Sequence, residues 1–206
     1  MFITFEGLDF CGKSTQVQLL EKYLSSEGEN VKIIREPGGT PISEKIRDIL
    51  LDKKNSKMSV ETELILFSAS RAQLVKQEII PSLCSGKIVI SDRFHDSSIA
   101  YQAFGRGIPL NFVEELQRFV IGAAVPDLTI FLDIPIEEVI VRKSKVKQID
   151  LDRIESSKID FYEKVRQGYL YLEGKESRIK RINGKQTIDE IHITIVNEIE
   201  KLKKIK

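Results

Sequence analysis

The chain has 206 residues, of which 41% are hydrophobic and 31% charged, so it can fold around one sizeable core. Its 32 basic and 31 acidic residues leave a formal net charge of +1. General nucleic-acid and membrane-surface binders carry a basic excess, so the balanced charge argues against both classes, while a small anionic ligand needs only a local positive cluster.

Apolar segments with the character of strands alternate with amphipathic helices along the chain. The predicted strands lie at 2–6, 31–34, 88–90, 128–132 and 178–182. The first predicted helix follows the first strand and ends at Gly28. Further helices are predicted at 42–51 and at about 60–80, and two more lie between the third and the fourth strand. The remaining ones run through 139–141, near 156–173 and at the C-terminal end. Strands that are apolar on both faces and alternate with helices are typical of a parallel sheet covered on both sides. We therefore predict one α/β domain over 1–206, with a five-stranded parallel sheet and about nine helices.

The turn after the first strand carries a phosphate-binding motif. The pattern G-x-x-x-x-G-K-[ST] is matched by Gly7-Leu8-Asp9-Phe10-Cys11-Gly12-Lys13-Ser14, directly after a strand and at the start of a helix. In this motif, the P-loop, successive backbone N–H groups and the helix N-terminus surround a phosphate. We expect Lys13 to reach the β- and γ-phosphates of ATP, Ser14 to bind Mg²⁺, and Thr15 to extend the nucleotide site. The motif predicts a P-loop NTPase fold; the alternative is a chance match at a glycine-containing turn.

A P-loop indicates a nucleotide but no particular reaction, because GTPases, motor ATPases and small-molecule kinases share it. The sequence has no Asn-Lys-x-Asp run for guanine recognition, and it is too short for the additional domains of a motor. Both observations favour a small-molecule kinase.

A second phosphate site is predicted at the end of the third strand. Asp92 and Arg93 follow 88–90, at the carboxyl edge where ligands bind in open α/β sheets. Arg93 suits bidentate phosphate capture, and Asp92 suits the water shell of magnesium. Without the P-loop, a structural Asp–Arg pair at the strand end would explain the two residues equally well.

Phe67 and Arg71 lie four residues apart in a predicted helix and therefore share one face. An aromatic ring beside a guanidinium can stack on a base and bind its polar edge. An isolated pair of this kind is more often a core Phe beside a surface Arg.

Further runs resemble thymidylate kinases of the bacterial type, in the nucleoside monophosphate kinase family, over nearly the whole chain. Besides the P-loop, they are Arg35-Glu36-Pro37-Gly38-Gly39-Thr40, Phe67 to Gln73, Asp92-Arg93-Phe94, Ser97-Ser98-Ile99-Ala100-Tyr101-Gln102, Pro126-Asp127-Leu128 with Leu132-Asp133, and Asp152-Arg153-Ile154-Glu155. A generic P-loop fold requires neither the E-P-G-G-T run nor the S-S-x-A-Y-Q run. The resemblance implies phosphorylation of dTMP to dTDP with ATP and Mg²⁺, by direct in-line transfer, in a homodimer.

The resemblance implies a pocket for dTMP. Phe67 would stack on thymine, and Arg71 would bond its carbonyl edge. Ser98, with Ser97 beside it, would face the remaining polar edge of the base. Tyr101 would pack under the sugar and disfavour a ribose 2′-hydroxyl.

The resemblance also implies roles around the phosphates. Arg93 and Glu36 would line the acceptor phosphate and its magnesium-bound water, and Asp9 would approach the deoxyribose and the acceptor end. Arg142 would lie against adenine, and Arg153 would come from a short lid, at about 142–155, that closes over the phosphates. The implied catalytic residues are Asp9, Lys13, Arg93 and Arg153.

The P-loop departs from the family pattern, whose commonest core is D-G-A-G-K. Phe10 stands in place of a Gly, so it is strained if this position needs a positive φ. Some relatives use an Arg of this loop on the phosphates, whereas here lid cations are expected: Arg153 first, then Lys145 and Lys147. Cys11, at a helix N-terminus, is expected to be reactive unless it is buried.

Two alternatives to a dTMP kinase stay open. Another nucleoside monophosphate kinase, acting on dUMP, dGMP, AMP or CMP, would share the ATP half and differ only in the acceptor pocket. A non-catalytic P-loop protein would bind a nucleotide without turnover, and Phe10 is the feature that favours it.

The cysteines and the N-terminal residues predict the compartment. Cys11 and Cys84 are too few for a disulfide framework, and with His95 and His192 they have no zinc-ligand spacing. The first five residues lack the basic region of a signal peptide, and no apolar run approaches membrane-spanning length. We therefore expect a cytoplasmic protein without a nucleic-acid or membrane partner. Apolar residues at 42–51 and 60–80 supply either a homodimer interface or part of the core.

Overall fold

The computed structural model of the chain describes residues 1–145, 152–155 and 158–205. A five-stranded sheet lies at its centre. Its strands are β1 (Phe2–Glu6), β2 (Val31–Arg35), β3 (Ile88–Asp92), β4 (Leu128–Asp133) and β5 (Ile179–Asn183). All neighbouring strands are parallel, in the order β2-β3-β1-β4-β5. The predicted five-stranded parallel sheet is confirmed, with its last strand shifted by one residue.

Helices surround this sheet. In the described residues they are α1 (Lys13–Ser26), α2 (Pro41–Leu51), α3 (Val60–Leu74), α4 (Ile80–Cys84), α5 (His95–Ser98), α6 (Leu110–Ile121), α7 (Ile136–Lys145), α8 (Ile159–Lys175) and α9 (Ile188–Ile205). Two π-helical segments, Val75–Ile79 and Ile99–Gly105, and a 3₁₀ turn, Lys53–Asn55, complete the elements. None of the helices described here combines the length and the apolar character needed to cross a bilayer.

The core has two hydrophobic clusters, on opposite faces of the sheet. Ile3 and Ile90 belong to the larger cluster, whereas their neighbours Phe2 and Val89 belong to the smaller one. Successive side chains of a strand point to opposite faces, which explains this division. β1 and β4 are buried along their whole length, as a central strand covered on both faces must be.

The helix predicted over about 60–80 extends to Cys84 and is not a regular α-helix throughout. Its bonding widens to the π pattern over Val75–Ile79, just before Pro81 in the first turn of α4. Proline has no N–H and clashes with the carbonyl group four residues earlier, so the local bonding has to change ahead of it.

The predicted lid is described only at its two ends. α7 ends at Lys145, and residues 152–155 follow the gap. Residues 146–151, which include the candidate cation Lys147, lie outside the described residues.

Candidate active site

A cleft of about 580 Å³ opens at the carboxyl ends of β1 and β3. Ligands bind at this edge in open α/β sheets. The predicted site residues that line the cleft are Asp9, Phe10, Gly12, Lys13, Ser14, Thr15, Glu36, Phe67, Arg71, Asp92, Arg93, Ser97, Ser98, Tyr101 and Arg142. Gly7, Leu8, Cys11 and Arg153 lie behind or beside this lining.

The P-loop joins β1 to α1, which begins at Lys13. Gly7 has a φ of 137°, and a Cβ there would lie 2.5 Å from the carbonyl oxygen of Leu132, so only glycine fits. The ammonium of Lys13 donates to the carbonyl oxygens of Gly7, at 3.2 Å, and Leu8, at 2.9 Å. The loop therefore presents a helix N-terminus and a buried cation at the same point, the arrangement that binds a phosphate.

Phe10 has a φ of 64°, so the condition under which this residue is strained is met. An L-residue with a side chain is strained in this conformation by roughly 1–2 kcal/mol. The ring is half-buried, packs against the larger hydrophobic cluster and lines the cleft. Cys11 is 1% exposed, so burial removes the reactivity expected of a thiol at a helix N-terminus.

Ser14 and Asp92 connect the P-loop to β3. The hydroxyl of Ser14 donates to Oδ2 of Asp92 at 2.8 Å. Both side chains carry the hard oxygen donors that Mg²⁺ prefers. Asp92 is thus bonded to the P-loop and not to its neighbour Arg93, so a simple Asp–Arg pair at the strand end is not the arrangement found.

Arg93 also reaches across to the P-loop. Its backbone has a φ of 70°, and its N–H donates to the carbonyl oxygen of Phe5 at 2.9 Å. Its guanidinium donates to Asp9 and, at 3.0 Å, to the carbonyl oxygen of Gly7. Burial alone would raise the pKa of Asp9, but Arg93 and Lys13 outweigh it and hold that pKa below its usual value. A carboxylate and two cations therefore meet at this end of the cleft.

Arg71 is 1% exposed, so the alternative of a surface Arg is wrong. Its guanidinium donates to Glu36 at 2.7 Å, to the carbonyl oxygen of Phe94 at 3.0 Å and to two side chains, Ser98 at 2.7 Å and Gln117 at 2.6 Å. Burial raises the pKa of Glu36, and the charge of Arg71 opposes that shift without cancelling it. Oε1 of Glu36 has no hydrogen-bond partner among the described residues. The pair leaves an unsatisfied acceptor at the cleft.

Three of the polar residues in the S-S-x-A-Y-Q run, Ser97, Ser98 and Tyr101, differ in their hydrogen bonding. Ser98 accepts from Arg71, and Ser97 donates to the buried carboxylate of Glu6 at 2.6 Å. The hydroxyl of Tyr101 is buried and has no partner in the described part of the chain. The contact of Ser97 with the base stays a prediction. The hydroxyl proton of Ser97 is bonded to Glu6.

Of the two arginines predicted around the phosphates, Arg142 contacts the P-loop and Arg153 does not. Arg142 donates to the carbonyl oxygens of Phe10 and Cys11, both at 3.3 Å, and of Gly184 at 2.7 Å, which holds it beside the P-loop in the cleft lining. The guanidinium of Arg153 is turned away from the P-loop, toward α2 and α3. The structure therefore does not bring Arg153 together with Lys13 and Arg93.

Several residues at or below the cleft were not predicted. Arg47 and Gln102 line it, and Glu6 and Tyr169 lie beneath Arg93. Gln102 ends the S-S-x-A-Y-Q run, so its place in that motif was an available signal. Glu6 ends β1 directly after Phe2-Ile3-Thr4-Phe5, where a single carboxylate has no distinguishing pattern.

Comparison with known proteins identifies the family. The pattern of the family described as thymidylate kinase matches residues 5–195. A thymidylate kinase of Chlorobium luteolum is 48% identical over 207 residues, covering 97% of this chain and 96% of that one. One of Thermoanaerobacter sp. is 44% identical over 201 residues, covering 97% of each chain. The crystal structure of thymidylate kinase from Ehrlichia chaffeensis matches with a TM-score of 0.78 at 35% identity, covering 97% of this chain and 98% of that one. The chain belongs to the thymidylate kinase family.

Proposed function

We propose that this chain transfers the γ-phosphoryl group of ATP to the 5′-phosphate of dTMP, giving dTDP and ADP. The observation that carries the proposal is the ion pair between Arg93 and Asp9, which joins the end of β3 to the P-loop. A donor phosphate at the P-loop and an acceptor phosphate at Arg93 would therefore face each other within one cleft. Holding two reactants in this way removes much of the entropic barrier to transfer.

The ATP half of the site is the P-loop, Thr15 and Arg142. The N-terminus of α1 and Lys13 receive the β- and γ-phosphates. Arg142 lies against the adenine, because its bonds to the P-loop carbonyls hold it beside the nucleotide.

The dTMP half begins with Phe67, which is half-buried on the cleft wall and stacks on thymine. The N–H groups of Arg71 are already engaged by Glu36, Ser98, Gln117 and the carbonyl of Phe94, so the guanidinium is rigid. A base carbonyl therefore accepts from the N–H of Arg71 that is bonded to Ser98, either together with the Ser98 hydroxyl or in its place. Tyr101, with its unpaired hydroxyl, lies under the sugar.

Transfer needs charge stabilisation more than proton transfer, because the acceptor phosphate is already anionic. Lys13 and Arg93 neutralise charge on the transferred group from opposite sides, and Asp9 keeps Arg93 in place. Asp9, Lys13, Arg93 and Arg153 form the proposed catalytic set.

Magnesium is proposed at Ser14, with Asp92 and Glu36 reached through water. The unpaired Oε1 of Glu36 is a suitable acceptor for such a water. When bound, Mg²⁺ neutralises charge on the phosphate oxygens of ATP. Among the described residues no group of three or more His, Cys, Asp or Glu could hold a metal, which fits an ion held largely by nucleotide phosphates.

A homodimer is proposed on exposed apolar side chains of three neighbouring helices. They are Ile42 and Ile49 of α2, Ile65 of α3, and Phe112 and Phe119 of α6. The last of these is 85% exposed. Exposed apolar side chains on neighbouring helices are typical of a protein interface. We also propose a cytoplasmic location.

The test is an ADP-release assay with Mg-ATP and one acceptor at a time from dTMP, dUMP, dGMP, AMP and CMP, with an acceptor-free control. We expect strong turnover with dTMP and weaker turnover with dUMP. A preference for another acceptor would overturn the substrate assignment. Binding of ATP without turnover of any acceptor would overturn the kinase proposal in favour of a nucleotide-binding role.

A further inference from the structure

Glu6, the last residue of β1, is a fully buried carboxylate directly before the P-loop. It accepts hydrogen bonds from the backbone N–H of Phe94 at 2.8 Å, from Ser97 at 2.6 Å and from Tyr169 at 2.8 Å. Burying a carboxylate costs several kcal/mol unless it is well bonded. Each of these donors stands next to Arg93 in the sequence or in space.

The two hydroxyls that donate to Glu6 also contact Arg93. Nη1 of Arg93 lies 3.3 Å from Oγ of Ser97 and 3.3 Å from the hydroxyl of Tyr169. A guanidinium can only donate, and an ionised carboxylate can only accept. Glu6 therefore draws both hydroxyl protons toward itself and leaves both oxygen atoms free to accept from Arg93.

The third hydrogen bond of Glu6 acts on the backbone. Phe94 follows Arg93, whose φ of 70° is costly for a residue with a side chain. The bond from the N–H of Phe94 to Glu6 stabilises the turn that lifts Arg93 off the end of β3 and toward Asp9.

We propose that Glu6 is a positioning residue, which fixes the backbone turn and the guanidinium of Arg93 in the orientation that receives the acceptor phosphate. This inference rests on the proposed role of Arg93 at that phosphate. Glu6 itself does not touch the substrate; it acts through Phe94, Ser97 and Tyr169.

The charged groups around Glu6 make its effect on Arg93 depend on pH. Burial, together with the charge of Asp96, raises the pKa of Glu6 to about 7, against the opposing effects of Arg93, Ser97 and Tyr169. Arg178, which pairs with Asp96, also faces this carboxylate. Protonation below pH 7 would turn an acceptor-only group into a donor and disturb both hydroxyls. Phosphate recognition should therefore weaken as the pH falls through 7.

The experiment compares dTMP with thymidine, which lacks the phosphate, by titration calorimetry on the whole protein. Glu6→Gln keeps the volume but places N–H donors opposite the hydroxyls. We expect E6Q to weaken dTMP binding by roughly tenfold to a hundredfold, while thymidine binding stays within about twofold. The wild-type preference for dTMP over thymidine should also decline below pH 7, and that decline should be absent in E6Q.

Two further variants separate positioning from folding. Tyr169→Phe keeps the carboxylate and removes one hydroxyl, so it should show a smaller loss of the same kind, less than additive with E6Q. Thr4→Val removes a buried hydroxyl of β1 that is bonded to Thr129 and not to Glu6, Ser97 or Tyr169. It should leave the affinities for dTMP and for thymidine unchanged.

Each outcome decides the inference. A wild-type protein that binds dTMP and thymidine equally well overturns the phosphate site at Arg93, and the role of Glu6 with it. A wild type that prefers dTMP, with the same preference kept in E6Q and Y169F, overturns the role of Glu6 alone. Equal losses for dTMP and thymidine would indicate a merely structural role. If E6Q does not fold, Y169F carries the same test.

Discussion

Arg153 donates to Oε2 of Glu63 at 2.7 Å and to the carbonyl oxygen of Leu50 at 2.8 Å. Glu63 is buried and also accepts from Gln102 and Arg106. Burial alone would raise the pKa of Glu63, but its three donors hold it below the usual value, so the carboxylate is ionised. Arg153 is thus held beside the cleft by an anion, and a phosphate group has to replace Glu63 before Arg153 can act in transfer.

The first prediction concerns this exchange. Arg153→Ala should lower kcat by about 10²-fold or more and leave the KM for dTMP within about threefold, because in the proposed role Arg153 contacts the phosphates only in the transition state. Steady-state kinetics with saturating Mg-ATP measure both constants.

The matched control for Arg153 is Arg106→Ala. Arg106 pairs with the same Glu63 but approaches it from the residue after the π-helical segment Ile99–Gly105, and not from the predicted lid. R106A should cost stability with little change in kcat. Equal kcat in R153A and wild type would remove Arg153 from the mechanism.

The second prediction concerns the strain at Phe10. Phe10→Gly and Phe10→Ala both remove the ring, but only glycine adopts a φ of 64° without strain. F10G should therefore be more stable than F10A by about 1 kcal/mol, measured by urea unfolding. Equal stabilities would mean that the loop relaxes to another conformation. ATP turnover at least as fast in F10G as in wild type would show that the ring is tolerated and not required.

The third prediction concerns His95, which is buried against Arg178. Since a guanidinium only donates, Nε2 of His95 accepts, and the ring is neutral. Burial lowers the pKa of His95 to about 4, from 6.5. The unfolded chain therefore binds more protons than the folded chain between these two pKa values, so this residue destabilises the fold as the pH falls from 6.5 toward 4.

The measurement for His95 is the stability difference between wild type and His95→Gln across this pH range. We expect the wild type to lose up to roughly 3 kcal/mol relative to H95Q between about pH 6.5 and 4. Glu6 has the opposite linkage, because its raised pKa makes the folded chain bind the extra proton. Glu6 is present in both proteins, so its contribution cancels in the stability difference between wild type and H95Q. A constant difference would show that His95 titrates alike in both states.

The fourth prediction concerns the exposed apolar helices. Phe119→Asp on α6 should convert a dimer into a monomer in light scattering after size exclusion, because it places a charge in the proposed interface. Ile193→Asp is the control, since Ile193 of α9 is 60% exposed and lies outside the proposed surface. A monomeric wild type, or an F119D dimer of unchanged stability, would contradict this interface.

Local patterns determined the sheet and the P-loop. Strands apolar on both faces must be covered on both faces, and the glycines and Lys13 at their fixed spacing indicate a backbone loop around a phosphate. The strained φ at Phe10 was also predictable, because the family pattern has glycine at that position. These features depend on residues that are neighbours in the sequence, so the sequence alone predicts them.

The tertiary structure decided the partners of the charged residues. Arg71 is not on the surface but buried, and its partner Glu36 lies 35 residues away in the sequence. Ser97 was expected at the base, and its proton is bonded to Glu6, 91 residues away. The partner of a buried charge depends on which distant group shares its low-dielectric surroundings, and this follows from the packing of β1, β3, α3 and α8 and not from any local pattern.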